Sequence, residues 1–403
     1  MSISRRSALA ALTLTAIPAS VRATSDRVRI GVLTDMSGPF SDSNGRGSVI
    51  GAQMAADEWG GKLPARSVEV ISADMGTSVD QAVTIARRWI DTEQVDAVVD
   101  VPSSAAALAI NDFIRERNAV FLASGPGTAR LTGESCSPNT VHWTFDTYAF
   151  SSTATRAMAS TGAKTWFFIT ADYVFGQDLQ ATSTQLIGHM GGKVVGAALH
   201  PINNSEFSSQ LLTAQSANPD VIALASGPTD SGNILKQAAE FGLMRAGGPR
   251  FISMAMNPLD VKATGQGITA GLFLVAPFYW NLNDRTRAFS ARFASRANGR
   301  MPVLAQAGAY GVTLHYLKAV AGAGTTHGDE VVRAMKATPT DDDAFGPGTI
   351  RADGRKLHPF YLFRVKPEAE SRSAEDVLTL VASIPGDQAF RPMADGGCSF
   401  TRR

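Results

Sequence analysis

The sequence predicts an α/β protein of two doubly wound units, each a parallel sheet flanked by helices. Two observations carry that expectation. Short apolar runs alternate with segments of helical periodicity four times in the N-terminal part, and a second such series begins near residue 164. The loops at the carboxyl ends of the first-series strands carry small hydroxyl or glycine residues, where open α/β sheets place ligands. A length of 403 residues suits about two domains.

The first unit opens with Val28, Ile30, Val32 and Leu33 as a buried strand, a polar loop from Thr34 to Asn44, and a helix starting near Gly45. That helix carries Val49, Ala52, Met54, Ala55 and Trp59 at helical spacing. Ser67–Ala73 reads as a second strand and Val79–Ile90 as a helix. Val95–Val101 is a third strand, running into Pro102-Ser103-Ser104-Ala105 and a helix over Ala106–Arg117. Ala119–Ala123 is a fourth, running into Ser124-Gly125-Pro126-Gly127-Thr128. Near Val141–Tyr148 the pattern changes. The second unit takes strands Lys164–Thr170, Lys193–Leu199, Val221–Ala225 and Arg250–Met254, with a helix after the Ala171–Gly176 segment to about Met190 and helices over Phe207–Ser216 and Thr229–Phe241. After a strand at Leu272–Pro277, helices at Asp284–Ala297, Ala305–Ala321 and Asp329–Ala337 are expected to return to the first unit. Gly346–Ile350 and Pro359–Val365 read as a strand pair about an Asp353-Gly354 turn, and Val377–Ala382 as a last strand.

Composition narrows the function. Net charge is +1, with 44% hydrophobic and 18% charged residues and no basic run with interleaved aromatics, which argues against nucleic acid and anionic membranes as partners. Residues 1–23 read as an export signal. Ser4-Arg5-Arg6 resembles a twin-arginine n-region, Ala8–Ile17 is an apolar stretch too short to span a bilayer, and Val21-Arg22-Ala23 resembles a cleavage site. The periplasm is therefore the expected location; the alternative is an N-terminal helix of the mature fold. No Cys stands at the cleavage point to take a lipid anchor. The only two cysteines, Cys136 and Cys398, form a disulfide or remain free thiols; export favours the bond, which closes a loop long enough to add about 4–5 kcal/mol.

Enzyme signatures are weak. The six histidines show no HExxH spacing, and neither GxSxG nor GxxxxGK[ST] occurs, so no metal or cofactor is expected. Gly45-Arg46-Gly47 with Gly51 and Asp74 imitates a dinucleotide-binding fingerprint, but its glycines follow a long loop rather than a tight turn after the strand. Asp341-Asp342-Asp343 reads as a solvated charge run, and Asp146 and Asp172 as helix caps, with contact to a ligand hydroxyl as the alternative for each.

The segments IGVLTDMSGPFSDSNG, GAQMAADEWGG, TADYVFGQDL, FSSQLLTAQSANPDVIAL and GNILKQAAEFG, in this order, resemble periplasmic solute-binding proteins of the leucine/isoleucine/valine-binding type, the receptors of ABC importers. The resemblance covers nearly the whole mature length. It implies the type I periplasmic-binding-protein fold, two α/β lobes joined by three crossover strands near 143–147, 274–278 and 343–347. Lobe 1 would comprise 26–144 and 277–345, and lobe 2 would comprise 145–276 and 346–403. It also implies a head-group site on Ser103, Ser104, Ala105, Ser124, Gly125 and Thr128, whose hydroxyls and N–H groups can solvate a carboxylate. The competing reading of these residues is helix capping. The facing wall would hold Tyr148, Tyr173, Phe175, Gly227, Met254 and Trp280, with ordinary core packing as the alternative for each ring; Phe278 reads as core.

Departures from the family pattern bear on the ligand. Amino-acid-binding members carry an aromatic near Ser43–Asn44, a tyrosine at Phe175, an aromatic at Gly227 and an acid just after Arg250–Met254; none of these stands at those positions here. An ammonium buried without a carboxylate costs several kcal/mol. The expected ligand is thus a small carboxylate with an apolar or aromatic body, bound by a monomer without chemical change and passed to an ABC permease. A branched-chain amino acid or amide is the alternative within the same fold, and an exported dinucleotide-dependent enzyme the alternative of another class.

Overall fold

The protein is represented by a computed structural model that describes residues 26–63, 66–245 and 247–401; the expected export signal lies outside them. The first lobe runs β1 (Arg27–Thr34), α1 (Gly45–Trp59), β2 (Ser67–Asp74), α2 (Val79–Asp91), β3 (Ala97–Asp100), α3 (Ser104–Glu116), β4 (Val120–Ala123) and β5 (Thr140–His142). Its sheet is parallel, in the order β2-β1-β3-β4-β5. The alternating strands and helices of the sequence thus form the doubly wound layer they imply.

The second lobe continues with α4 (Thr147–Ser160), β6 (Thr165–Ala171), α5 (Val174–His189), β7 (Lys193–His200), α6 (Ser208–Ala217), β8 (Val221–Ala225), α7 (Pro228–Glu240), β9 (Arg250–Ser253), α8 (Pro258–Thr264), α9 (Gln266–Thr269) and β10 (Phe273–Ala276). Helix α4 has no counterpart in the sequence reading. Its Ser/Thr-rich stretch mimics a loop, yet Ser151, Ser152, Thr153 and Thr155 are buried. Thr155 Oγ1 bonds back to the Ser151 carbonyl at 2.8 Å, whereas Ser151 Oγ donates to the Leu179 carbonyl of α5 at 3.1 Å, so the helix hides its hydroxyls partly in itself and partly against its neighbours.

Helices α10 (Asp284–Ala294), α11 (Leu304–Ala323) and α12 (Gly328–Ala337) then return to the first lobe as expected, with α11 lying on α1. Helix α11 is buried on nearly all sides. A Cβ on Gly51 would come within 2.5 Å of the Gln306 carbonyl, so a bare backbone lets α1 and α11 approach. Gly47 and Gly51 of the set that imitates a nucleotide fingerprint therefore serve helix packing.

Strands β11 (Thr340–Asp342), β12 (Gly346–Ile350) and β13 (Lys356–Leu357) form a small antiparallel sheet. Asp353-Gly354 does turn a hairpin, but β12 pairs with β13 rather than with the later strand. That later strand, β14 (Phe360–Val365), lies between β10 and β15 (Leu378–Ile384) in the second sheet, whose order is β15-β14-β10-β9-β8-β6-β7. The chain passes between the two large sheets at 143–146, 277–283 and 358–359, and the third passage falls later than the expected 343–347. His358 in this passage ties it to the first, its Nε2 lying 2.9 Å from the Thr144 carbonyl. Burial pushes that imidazole well below its ordinary pKa.

After β15 and the short α13 (Gly386–Ala389), the tail leaves α4, where Ser152 Oγ bonds the Ala389 carbonyl. It reaches the first lobe through Arg391, which donates to the Ala129 carbonyl at 2.9 Å, and through the Cys136–Cys398 disulfide. No helix among the described residues is long and apolar enough to cross a membrane.

Candidate functional site

A cavity of about 360 Å³ lies between the lobes. Five helices of ten or more residues begin at its wall. Ser43 and Asn44 precede α1; Ser103 caps α3, with Ser104 and Ala105 in its first turn; Tyr173 and Phe175 open α5; Gly227 and Pro228 open α7; Leu304 and Ala305 open α11. First-turn N–H groups have no partner within a helix, and the helix dipole makes each N-terminus partly positive. The convergence gives the cavity an anion-favouring field without a metal.

The walls are apolar and aromatic. Phe40, Phe145, Phe150, Tyr173 and Phe175 face the space, with Phe145 and Phe150 centred 5.1 Å apart and Tyr173 and Phe175 6.0 Å apart. Phe175 reaches across to the first lobe, where a Cβ on Gly127 would sit 2.9 Å from its ring. Burial pushes the Tyr173 hydroxyl up to about 12, so it stays a protonated donor. Arg130 also lines the space and pairs with Glu134 at 2.6 Å. No Asp or Glu is among the lining side chains.

The loops of the first-lobe end are gathered by Asp100, which is fully buried beneath Gly125. Its carboxylate accepts from Thr34 Oγ1 at 2.8 Å, Asn44 Nδ2 at 2.8 Å and Ser124 Oγ at 3.2 Å. A Cβ on Gly125 would fall on Asp100 Oδ1 and stand 2.7 Å from Asn44 Nδ2. Gly125→Ala should therefore push the loop into the cavity. At about 1–3 kcal/mol of overpacking, ligand affinity should fall roughly tenfold to a hundredfold in a direct titration.

Of the positions expected from sequence, Ser103, Ser104, Ala105, Gly125, Tyr173, Phe175 and Gly227 line this one cavity. Ser124 stands behind it, on Asp100. Thr128 is buried and caps a short helical turn, its Oγ1 accepting from the Arg130 N–H at 3.3 Å. Tyr148 is half-buried on α4, outside the lining. Met254 points into the core, its sulfur 3.9 Å from Ser183 Oγ, because β9 ends there and the next residue, Ala255, turns to the cavity. Trp280 donates from Nε1 to the Glu375 carbonyl at 2.8 Å within the second lobe, again outside the lining. Phe278 is core, edge-on to Phe289.

Sequence reasoning missed Phe40, Asn44, Arg130, Phe145, Phe150 and Asn257. Phe40 supplies an aromatic from the first loop, a few residues before the position where one was sought. Asn44 and Asn257 stand directly before helices, a signal that N-cap statistics make visible. An acid does follow β9 at Asp260, but its Oδ2 accepts from the Asn257 N–H at 2.8 Å and it lies outside the lining. Asp146 caps α4, accepting from the Ala149 N–H at 2.7 Å. Asp172 instead accepts from the Gln177 side chain at 2.8 Å. Asp74 bonds Met36 N–H and Ser37 Oγ in the first loop.

A model of the family described as periplasmic binding protein matches residues 27–372. No curated protein sequence matches the chain. Among solved structures, a periplasmic binding protein from Burkholderia mallei is 38% identical with a TM-score of 0.87, covering 94% of this chain and 100% of its own. A branched chain amino acid ABC transporter periplasmic ligand-binding protein from Burkholderia xenovorans is 34% identical with a TM-score of 0.87, covering 93% and 100%. A solute binding protein of an ABC transporter from R. palustris, solved with benzoate, shares the fold at 20% identity with a TM-score of 0.79, covering 93% and 99%. Such proteins work in the periplasm, carrying a small molecule to an ABC permease. The chain belongs to the periplasmic binding protein family, among the ABC-transporter receptors of the leucine-binding type.

Proposed function

We propose that this receptor binds a small carboxylate with an aromatic or other apolar body in the cavity between its lobes, and releases it unchanged. One observation carries the reading. Helix N-termini converge on a cavity walled by aromatic rings, and no acidic side chain lines it. The first feature favours an anion, the second an apolar body, and the third leaves an ammonium without a counter-charge. The fold itself accommodates such a ligand in the benzoate-bound protein from R. palustris. Closure of the two lobes about the three passages would desolvate the acid on both sides. Export through the twin-arginine pathway, from Arg5-Arg6, and a monomeric state complete the proposal.

A branched-chain amino acid is the second reading, favoured by the likeness to the branched chain amino acid ABC transporter protein from Burkholderia xenovorans. A thermal-shift screen of the mature chain against amino acids, amides, aliphatic acids and aromatic acids separates the two. An aromatic acid at 100 times its Kd should add about 2.7 kcal/mol of stability. A strong shift with leucine and none with any apolar acid contradicts the first reading, and conversion of a hit contradicts release unchanged.

A further inference from the structure

The floor of the first-lobe end is one backbone layer thick over a carboxyl group. Asp100 ends β3 with φ 81° and Val101 follows with φ 61°, two successive non-glycine residues in the left-handed region. Backbone held in that region persists only where the surroundings enforce it, and it clusters at ligand sites. Here the turn drives the Asp100 side chain under Gly125 while carrying Ser103 into the cavity wall.

No Lys, Arg or His among the described residues pairs with Asp100. The groups facing it are Thr34 at the end of β1, Asn44 before α1, Ser48 on α1 and Ser124 after β4. Gln306 of α11 reaches only main-chain carbonyls in this corner, those of Asp42 and Asn44. Asp35, next to Thr34, is occupied by the N–H groups of Ser37, Gly38 and Phe40. When ionised, Asp100 thus places an uncompensated negative charge directly behind the loop where an anionic head group would dock.

We propose that Asp100 is a specificity-determining residue: its carboxyl group must be neutral for an anionic ligand to dock over Gly125, so the receptor takes up its acid together with one proton. This rests on the reading of the ligand as a carboxylate. The proton comes from bulk water and settles on Oδ2, where the Thr34 hydroxyl can turn from donor to acceptor; Oδ1 stays an acceptor for Asn44 and Ser124. Burial already pushes this carboxyl up to about 6 in the ligand-free chain. A neighbouring anion raises it further.

The sign of the coupling follows. Above pH 6 the free protein holds Asp100 ionised and the bound protein holds it protonated, so benzoate should bind about tenfold more weakly for each pH unit. Without ligand, the folded chain binds more protons at Asp100 than the unfolded chain between about pH 4 and 6. Wild type therefore loses stability as pH rises through that window, relative to Asp100→Asn. The variant mimics the neutral acid, with its amide oxygen toward Asn44 and its NH2 toward Thr34.

The test is calorimetric titration with benzoate at pH 7.5 in buffers of different ionisation enthalpy, repeated from pH 5.5 to 8.5. Wild type should take up close to one proton per benzoate, and Asp100→Asn none, with a flat pH profile. Ser124→Ala, which removes a donor to the carboxylate, should move the midpoint to higher pH. It keeps the test decisive even where Asp100→Asn does not fold. Benzoate binding without proton uptake, or uptake unchanged in Asp100→Asn, overturns the role of Asp100 alone. Failure of benzoate and of other apolar acids to bind even at pH 5.5 overturns the carboxylate reading, and this proposal with it.

Discussion

Asp342→Ala is expected to destabilise the protein by about 3–5 kcal/mol, because it strands a buried cation. The Lys356 ammonium is fully buried, 3.1 Å from Asp342 Oδ2 and 4.0 Å from the centre of the Trp143 ring. Burial holds this lysine down to about 8. The other Asp342 oxygen accepts from the N–H groups of Ala344 and Phe345 at 2.9 and 2.7 Å, closing the turn between β11 and β12. Alanine removes both services at once. Asp341→Ala, one residue away, touches an exposed side chain paired with Arg285 and should change stability by no more than about 0.5 kcal/mol. In Asp342→Asn/Lys356→Met the amide oxygen still accepts from the turn and no charge is buried, so most of the loss should be recovered. Chemical denaturation of the three variants checks the ranking.

Replacing both cysteines, Cys136→Ser/Cys398→Ser, should cost about 5 kcal/mol and lower Tm by roughly 6 °C. The bond spans 262 residues of sequence, so in the chain-entropy picture it removes a large part of the unfolded ensemble. The effect should extend to function. The tail it anchors meets the segment that follows Thr128, through Arg391 on the Ala129 carbonyl, and Arg130 of that segment lines the cavity. Calorimetry with and without reductant provides the measurement: reduced wild type should match the double variant, while the double variant itself should not respond to reductant.

The architecture was legible where periodicity was unambiguous. Val28–Leu33, Val221–Ala225 and the long apolar helix Leu304–Ala323 announce themselves by runs that only buried strands or a core helix explain. Helix α4 was not, since Ser151, Ser152 and Thr155 are buried with hydroxyl partners in the helix itself or as distant as Leu179 and Ala389, which composition hides. The partner of Gly346–Ile350 was misassigned because the Asp353-Gly354 turn is compatible with any following strand, and only pairing shows that the two-residue β13 takes it. Asp342 read as part of a solvated run, whereas the partner that buries it lies 14 positions away.

The site divides in the same way. Ser103–Ala105, Gly125, Tyr173 and Phe175 could be found because the family resemblance points to them, and for the first four the preference of such sheets to hold ligands at strand carboxyl ends agrees. Met254 was misassigned by a single residue at a strand end, where side-chain direction alternates. Phe145 lies in the first passage between the lobes and Phe150 follows it on α4, and nothing local distinguishes them from core aromatics.

The most direct measurement is an equilibrium titration of the mature chain at pH 6 with benzoate and with leucine. One-to-one binding of benzoate at least tenfold tighter than leucine, with the acid recovered unchanged, is the expected result. Tighter binding of leucine, with benzoate inert, would contradict it.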